Sequence, residues 1–189
     1  MKKIVVFNYV SVDGFFAGPN GEIDWFKVIK KDDEWDAYTH RQAQPGGTLI
    51  FGHTTYEMMK SYWPTPDAIK SDPGMAKAVN ESPKIVFSKT LKSVEEGLHW
   101  KNIRLFHEIK PEDIRKLKEK QDMTILGSGT LVQQFANLGL IDEYWLVVVP
   151  IVLGAGKPLF KDVKTMNLKL LEAKRFKNGI VLLRYQPEK

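Results

Sequence analysis

Met123-Thr-Ile-Leu-Gly-Ser-Gly-Thr-Leu-Val-Gln-Gln-Phe135 sets the reading of the whole chain, because an apolar run breaks into Gly127-Ser128-Gly129 and resumes with helical spacing. The pattern predicts strand, tight turn, helix. Glycines at 127 and 129 permit positive φ and close approach to the backbone, and either Ser128 or Thr130 can cap a helix carrying Leu131, Val132, Phe135 and Leu138. The unpaired N–H groups at such a helix start suit an anion. A phosphate-bearing cofactor and a plain strand-to-helix turn are both consistent with the stretch taken alone.

The same pattern recurs upstream. Thr48-Leu-Ile-Phe51 reads as a short strand, and Gly52-His53-Thr54-Thr55 turns at once into a helix reaching Met59. Lys84-Ile-Val-Phe87 is a third short strand, followed by Ser88-Lys89-Thr90. Lys2 to Val12 predicts a largely buried, central strand, Leu98 to Phe106 contains another, and Tyr144 to Val149 has strong β propensity. Asp32 to Ala43 predicts a partly buried helix with acids in its first turn, ended by Pro45-Gly46-Gly47. Pro111 opens a helix over Glu112 to Lys120.

The four prolines at 64, 66, 73 and 83 predict a long irregular connection with one short helix near Met75 to Asn80. Pro150 to Phe160 predicts a loop. Leu168 to Phe176 and Ile180 to Tyr185 flank Asn178-Gly179, a hairpin signal. The loop from Phe15 to Gly21 carries two aromatics that read either as a mobile lid over a flat ligand or as a surface turn folded back on the core. Short strands alternating with helices and closed by a hairpin predict one domain over 1–189. Its expected architecture is a three-layer α/β/α fold around a mixed, mostly parallel sheet ending in an antiparallel hairpin.

Composition narrows the function classes. With 43% hydrophobic and 27% charged residues the chain is neither disordered nor membrane-spanning in character, and Tyr144 to Leu153, its longest apolar run, is too short for a bilayer. No secretory cleavage site follows the first strand, so a cytoplasmic location is expected. The absence of cysteine excludes disulfides, thiolate metal sites and cysteine nucleophiles. The net charge of +5 is spread along the chain, and Lys116-Leu-Lys118-Glu-Lys120 reads as a solvated helix face. No nucleic-acid or membrane partner is expected, and His99 and His107 have no metal-ligand spacing.

In an open α/β sheet, ligands bind beyond the carboxyl ends of the strands, and here three such ends carry Gly52 to Thr55, Ser88 to Thr90 and Gly127 to Thr130. Together they suit a dinucleotide: two helix starts for phosphates, with Lys89, Ser88 and Thr90 for a further one such as a ribose 2′-phosphate. The G-x-G-x-x-G fingerprint is absent, so an ordinary Rossmann domain is not supported. Asp13 reads as a proton acceptor or, more simply, as an Asp-Gly turn former.

Over nearly its whole length the chain resembles the dihydrofolate reductase-like superfamily, and more closely the reductase domain of bacterial riboflavin biosynthesis and its stand-alone relatives. The resemblance is carried by Ser11-Val-Asp-Gly14, Phe51-Gly-His-Thr-Thr-Tyr-Glu57, Phe87-Ser-Lys-Thr90, Leu126-Gly-Ser-Gly-Thr-Leu131, Ile141-Asp-Glu143 and Pro150-Ile-Val-Leu-Gly-Ala-Gly156. It implies that Gly52, His53, Thr54 and Thr55 with Gly127, Ser128, Gly129, Thr130 and Leu131 hold the NADPH phosphates. Ser88, Lys89 and Thr90 would face the adenosine end, and Phe16 and Ala17 the nicotinamide. His53 stands where many relatives have arginine. The single helix acid that binds and helps protonate the substrate in folate reductases maps by distance onto Asp36, one turn before His40; a solvent-exposed helix acid is the plainer reading of the same residue.

The zinc deaminase half of the bifunctional riboflavin enzyme has no counterpart here. The expected activity is NADPH-dependent hydride transfer to a C=N or C=O group of a small planar heterocycle, pteridine- or aminouracil-like. The alternative is a nucleotide-binding or ligand-sensing protein on the same fold without turnover. The resemblance also implies a homodimer.

Overall fold

The computed structural model describes residues 2–43 and 47–188, so the helix stop predicted at Pro45 and Gly46 lies outside the described residues. Its strands are β1 (Ile4–Ser11), β2 (Phe15–Ala17), β3 (Thr48–Gly52), β4 (Lys84–Phe87), β5 (Ile103–Phe106), β6 (Met123–Gly127), β7 (Glu143–Val149), β8 (Lys157–Pro158), β9 (Leu168–Arg175) and β10 (Val181–Pro187). Its helices are α1 (Asp33–Gln42), α2 (His53–Tyr62), α3 (Pro66–Ser71), α4 (Pro73–Glu81), α5 (Pro111–Lys120) and α6 (Gly129–Asn137), with a 3₁₀ turn over Asp24–Val28.

Eight strands form one sheet in the order β5-β4-β3-β6-β1-β7-β10-β9. The first six are parallel to one another, and β10 and β9 close the sheet antiparallel. Side chains alternate across it, which is what two covered faces require. Ile4, Val6, Ile50, Ile85 and Ile125 pack with Ile114 of α5 and Leu131, Val132 and Phe135 of α6. On the opposite face the apolar residues fall into two separate clusters. Phe7, Tyr9, Val147 and Leu182 meet Trp35 and Tyr38 of α1. Leu49, Phe51, Val86 and Leu126 meet Tyr56 and Met59 of α2, Val79 of α4 and Trp100. The α1 and α2 sides of this face are thus packed as separate units.

The proline-rich connection folds into more structure than expected. Pro66 and Pro73 each occupy the first turn of a helix, where a missing N–H costs nothing, and Thr65 and Asp72 cap those helices through their side chains. Only local chemistry was needed, but four prolines in one stretch masked it. A two-residue strand also lies inside the predicted loop at 150–160, because Lys157 and Pro158 pair with Phe15 and Ala17. The Asn178-Gly179 hairpin forms as expected, with Gly179 at φ +87°.

Candidate functional site

The carboxyl ends of β3, β4 and β6 lie side by side, so the three polar turns separated in sequence meet along one edge. Gly52 and Ser128 are the N-cap residues of α2 and α6, and neither helix start receives a side-chain cap. Ser128 is therefore the N-cap by position but not by hydrogen bond, and Thr130 is exposed within the first turn. By contrast α1, α3 and α4 are capped by Asp32, Thr65 and Asp72. Helix α5 also lacks a side-chain cap, but Glu112 and Asp113 fill its first turn with negative charge. Only α2 and α6 combine uncapped N–H groups with a first turn free of acids among the longer helices of the described residues.

The backbone at this edge is packed too closely for side chains. A Cβ on Gly52 would lie 2.5 Å from Ser128 Oγ, one on Gly127 2.9 Å from Thr55 Oγ1, and one on Gly129 2.3 Å from the Phe16 ring. Gly127 has φ +126°, and its peptide to Ser128 is cis. Two helix N-termini thus approach each other through glycine, the geometry that lets a polyanion contact backbone N–H groups from both.

Toward the edge of the sheet, the Ser88 hydroxyl accepts from Thr90 N at 3.2 Å and Leu91 N at 3.0 Å. Thr90 Oγ1 lies 3.3 Å from both Ser88 Oγ and His53 Nδ1, so a hydroxyl–imidazole chain joins the end of β4 to the start of α2. His53, Thr54, Lys89 and Thr90 are exposed, while Thr55 and Leu131 are buried. His107, without assigned role in the sequence, hydrogen-bonds the Ser88 carbonyl at 2.8 Å. It borders a hollow of about 230 Å³ lined by Phe106, Lys110 and Asp113. A larger hollow of about 360 Å³, lined by Ala76, Asn80 and Asn102, lies at the opposite end of β4 and has no part in this edge.

Phe16 is not an exposed tip. It is half-buried, lies over Gly129 and packs on the core beside α6, while Ala17 is buried in the β2–β8 pair. The folded-back alternative describes it, because pairing with β8 and the gap left by a glycine give the ring an apolar seat. Asp13 is likewise committed: its carboxylate accepts from Leu153 N at 3.1 Å and Gly154 N at 2.8 Å. A hydrogen bond with Ser11 and these backbone N–H groups hold it below the ordinary carboxyl value, which makes it a loop tether and a poor proton carrier.

Between the α1 cluster and the α2 cluster, β1 and β6 part. Their ladder runs only from Ile4↔Met123 to Val6↔Ile125, whereas β1 stays paired with β7 as far as Ser11↔Val149. Past that point Asn8 Nδ2 donates to the Leu126 carbonyl over a long 3.4 Å, and buried Asn8 Oδ1 has no partner among the described residues. Tyr9 follows on the face that carries α1. Asp36 stands half-exposed on α1, close enough for its charge to act on the Tyr9 hydroxyl. Burial chiefly pushes the Tyr9 phenol up to about 12; a hydrogen bond from Trp35 opposes this and Asp36 adds to it. At the far end of α1, His40 pairs with Asp72 at 2.9 Å, bridging α1 to the α3–α4 junction. The family resemblance pointed to Asp36 but not to Tyr9 or Asn8, whose positions depend on where two strands diverge.

Among the described residues, no helix is long and apolar enough to cross a membrane and no cluster of metal-ligating side chains occurs. The sequence is 31% identical to the uncharacterized protein YyaP of Bacillus subtilis over 97% of this chain and 94% of that one. The fold matches a Shewanella sp. PV-4 protein named for riboflavin biosynthesis with a TM-score of 0.79 at 23% identity, covering 99% of each chain. It also matches Enterococcus faecalis dihydrofolate reductase, solved as a complex with NADP(H), with a TM-score of 0.63 at 13% identity over 99% of this chain and 97% of that one. The fold is thus that of dihydrofolate reductase, and the profile of the RibD C-terminal domain matches residues 2–182, so the chain belongs to that family.

Proposed function

We propose that this protein is an NADPH-dependent reductase of a small planar heterocycle. The observation that carries the reading is the contact of two uncapped helix starts, Gly52–Thr55 and Gly127–Leu131, at adjoining parallel-strand ends. In this reading their N–H groups hold the dinucleotide phosphates, and Ser88, Lys89 and Thr90 with His53 receive the adenosine end and its 2′-phosphate. The nicotinamide enters where β1 and β6 part, against Asn8 and near Phe16 and Ala17. Bound there, NADPH would supply hydride for a C=N or C=O bond; the protein orients the ring and excludes water. The family and the NADP(H)-bound neighbour support the cofactor class.

Calorimetric titration with NADPH and NADH, repeated on Lys89→Ala, tests the reading. The expected result is NADPH binding that is tighter than NADH binding and loses about tenfold in the variant, the scale of one charge-assisted phosphate contact. No binding of either dinucleotide would sink it. We also propose a homodimer through the β9 edge, supported by exposed Leu170 and Leu171; a monomeric mass in light scattering would remove it.

A further inference from the structure

Asn8 interrupts an apolar row. On β1 the side chains of Ile4, Val6 and Val10 pack in the cluster beneath α5 and α6, while Phe7 and Tyr9 pack toward α1. Strand alternation puts Asn8 with the first set, between Val6 and Val10, where it is 7% exposed. Its amide carries two N–H donors and one carbonyl acceptor. One donor reaches the Leu126 carbonyl at 3.4 Å, a length at which the bond is weak, and buried Oδ1 has no partner among the described residues. Exchanging the two ends of the amide would set Oδ1 against the Leu126 carbonyl, acceptor against acceptor, so the orphaned atom is an acceptor. A valine in the same place would leave no polar side-chain atom unpaired.

The orphan stands where the sheet stops supplying partners. The last β1–β6 pair is Val6↔Ile125; β6 runs on to Leu126 and the Gly127 turn, while the ladder of β1 continues with β7. Phe16, lying over Gly129 at the start of α6, packs on the same core cluster. An unpaired acceptor beside an aromatic face complements a flat ring that carries an N–H₂ group. The carboxamide of a nicotinamide is such a group, and this step rests on the reductase reading given above. We propose that Asn8 is a positioning residue for the cofactor, its Oδ1 accepting from the carboxamide N–H₂. A single long bond restrains the Asn8 amide little, so it can turn about χ2 to follow the ring. A nicotinamide rotated half a turn about its glycosidic bond presents its opposite face and carries the carboxamide away from Asn8. The contact therefore selects which face of the ring is turned toward the substrate, although Asn8 touches no reacting atom.

Calorimetric titration of wild type, Asn8→Leu and Asn8→Ala with three probes tests this. The probes are NADP⁺, its 3-acetylpyridine analogue, in which a methyl replaces the carboxamide N–H₂, and adenosine 2′,5′-bisphosphate, which lacks the nicotinamide half. Wild type should bind NADP⁺ about tenfold more tightly than the analogue, the worth of one buried hydrogen bond. Each variant should bind the two dinucleotides alike and hold the bisphosphate as tightly as wild type does; Asn8→Ala carries the comparison if the bulkier leucine does not fold. Equal binding of NADP⁺ and the analogue by wild type overturns the role of Asn8 whatever the variants do. Discrimination that survives in the variants overturns it too, as does a matching loss of bisphosphate binding, which would make Asn8 a structural residue only. If wild type binds neither NADP⁺ nor the bisphosphate, the reductase reading itself fails, and this proposal with it.

Discussion

Asp32 and Asn178 are joined by a hydrogen bond that couples the first helix to the last hairpin. Asp32 Oδ1 accepts from Glu34 N and Trp35 N, capping α1, while Oδ2 accepts from Asn178 N at 2.9 Å. The helix that carries Trp35 and Asp36 is thus fixed at its start by the turn between β9 and β10, more than a hundred residues away.

Asp32→Ala should lower the melting temperature by about 2–4 °C, the scale of a lost helix cap in a chain of this size. Hydrogen exchange at Glu34 and Asn178 should quicken together. Burial would raise the carboxyl, but hydrogen bonds from Asn178, Trp35, Glu34 and Lys177 outweigh it and hold the value low. A depressed folded value means that the stabilisation is present above the ordinary carboxyl range and lost as pH falls through the folded value.

Lys84 is fully buried, and its ammonium donates to the carbonyls of Asn80, Ser82 and Lys101 at 2.8, 2.8 and 3.2 Å, 4.5 Å from the Trp100 ring. Lys84→Met leaves these acceptors without a donor and should cost about 2–3 kcal/mol in denaturant unfolding. Burial lowers the ammonium to about 8, with Glu96 opposing, from an ordinary 10.5. Between those values the unfolded chain binds more protons, so wild-type stability relative to Lys84→Met should be flat below about pH 8 and rise toward 10.5. A difference that shrinks over this range would contradict the assignment.

Glu143 is buried between Lys3, Trp145 and Arg184, which in turn pairs with Glu172 at 2.8 Å. Burial raises its carboxyl, yet the hydrogen bonds from Lys3, Trp145 and Arg184 prevail and hold it below the ordinary value. Glu143→Gln should destabilise by about 2–4 kcal/mol, because it leaves Arg184 charged and under-compensated in a largely buried site. The wild-type advantage should be full at neutral pH and disappear as acid titration passes the depressed folded value.

Gly52→Ala places a methyl 2.5 Å from Ser128 Oγ and 3.1 Å from Ser128 N, forcing the two helix starts apart. Under the proposed function, NADPH affinity should fall about tenfold, the cost of modest overpacking. Gly52→Ala combined with Ser128→Gly should recover most of it. Equal affinity in wild type and Gly52→Ala would show that the phosphates do not sit between these helices.

Local chemistry by itself determined much of this protein. Glycine after an apolar run marked β3 with α2 and β6 with α6, Asn178-Gly179 marked the closing hairpin, and Pro111 marked the start of α5, because turn and cap preferences act over a few residues. The tertiary structure alone decided which of these turns meet. Gly52 and Ser128 come into contact only through the sheet order, Phe16 is half-buried over Gly129 beside the β2–β8 pair, and Asp13 is tied down by a loop at Leu153. Such pairings join residues far apart in the chain, and their free energy resides in burial and register rather than in any local preference that a sequence can display.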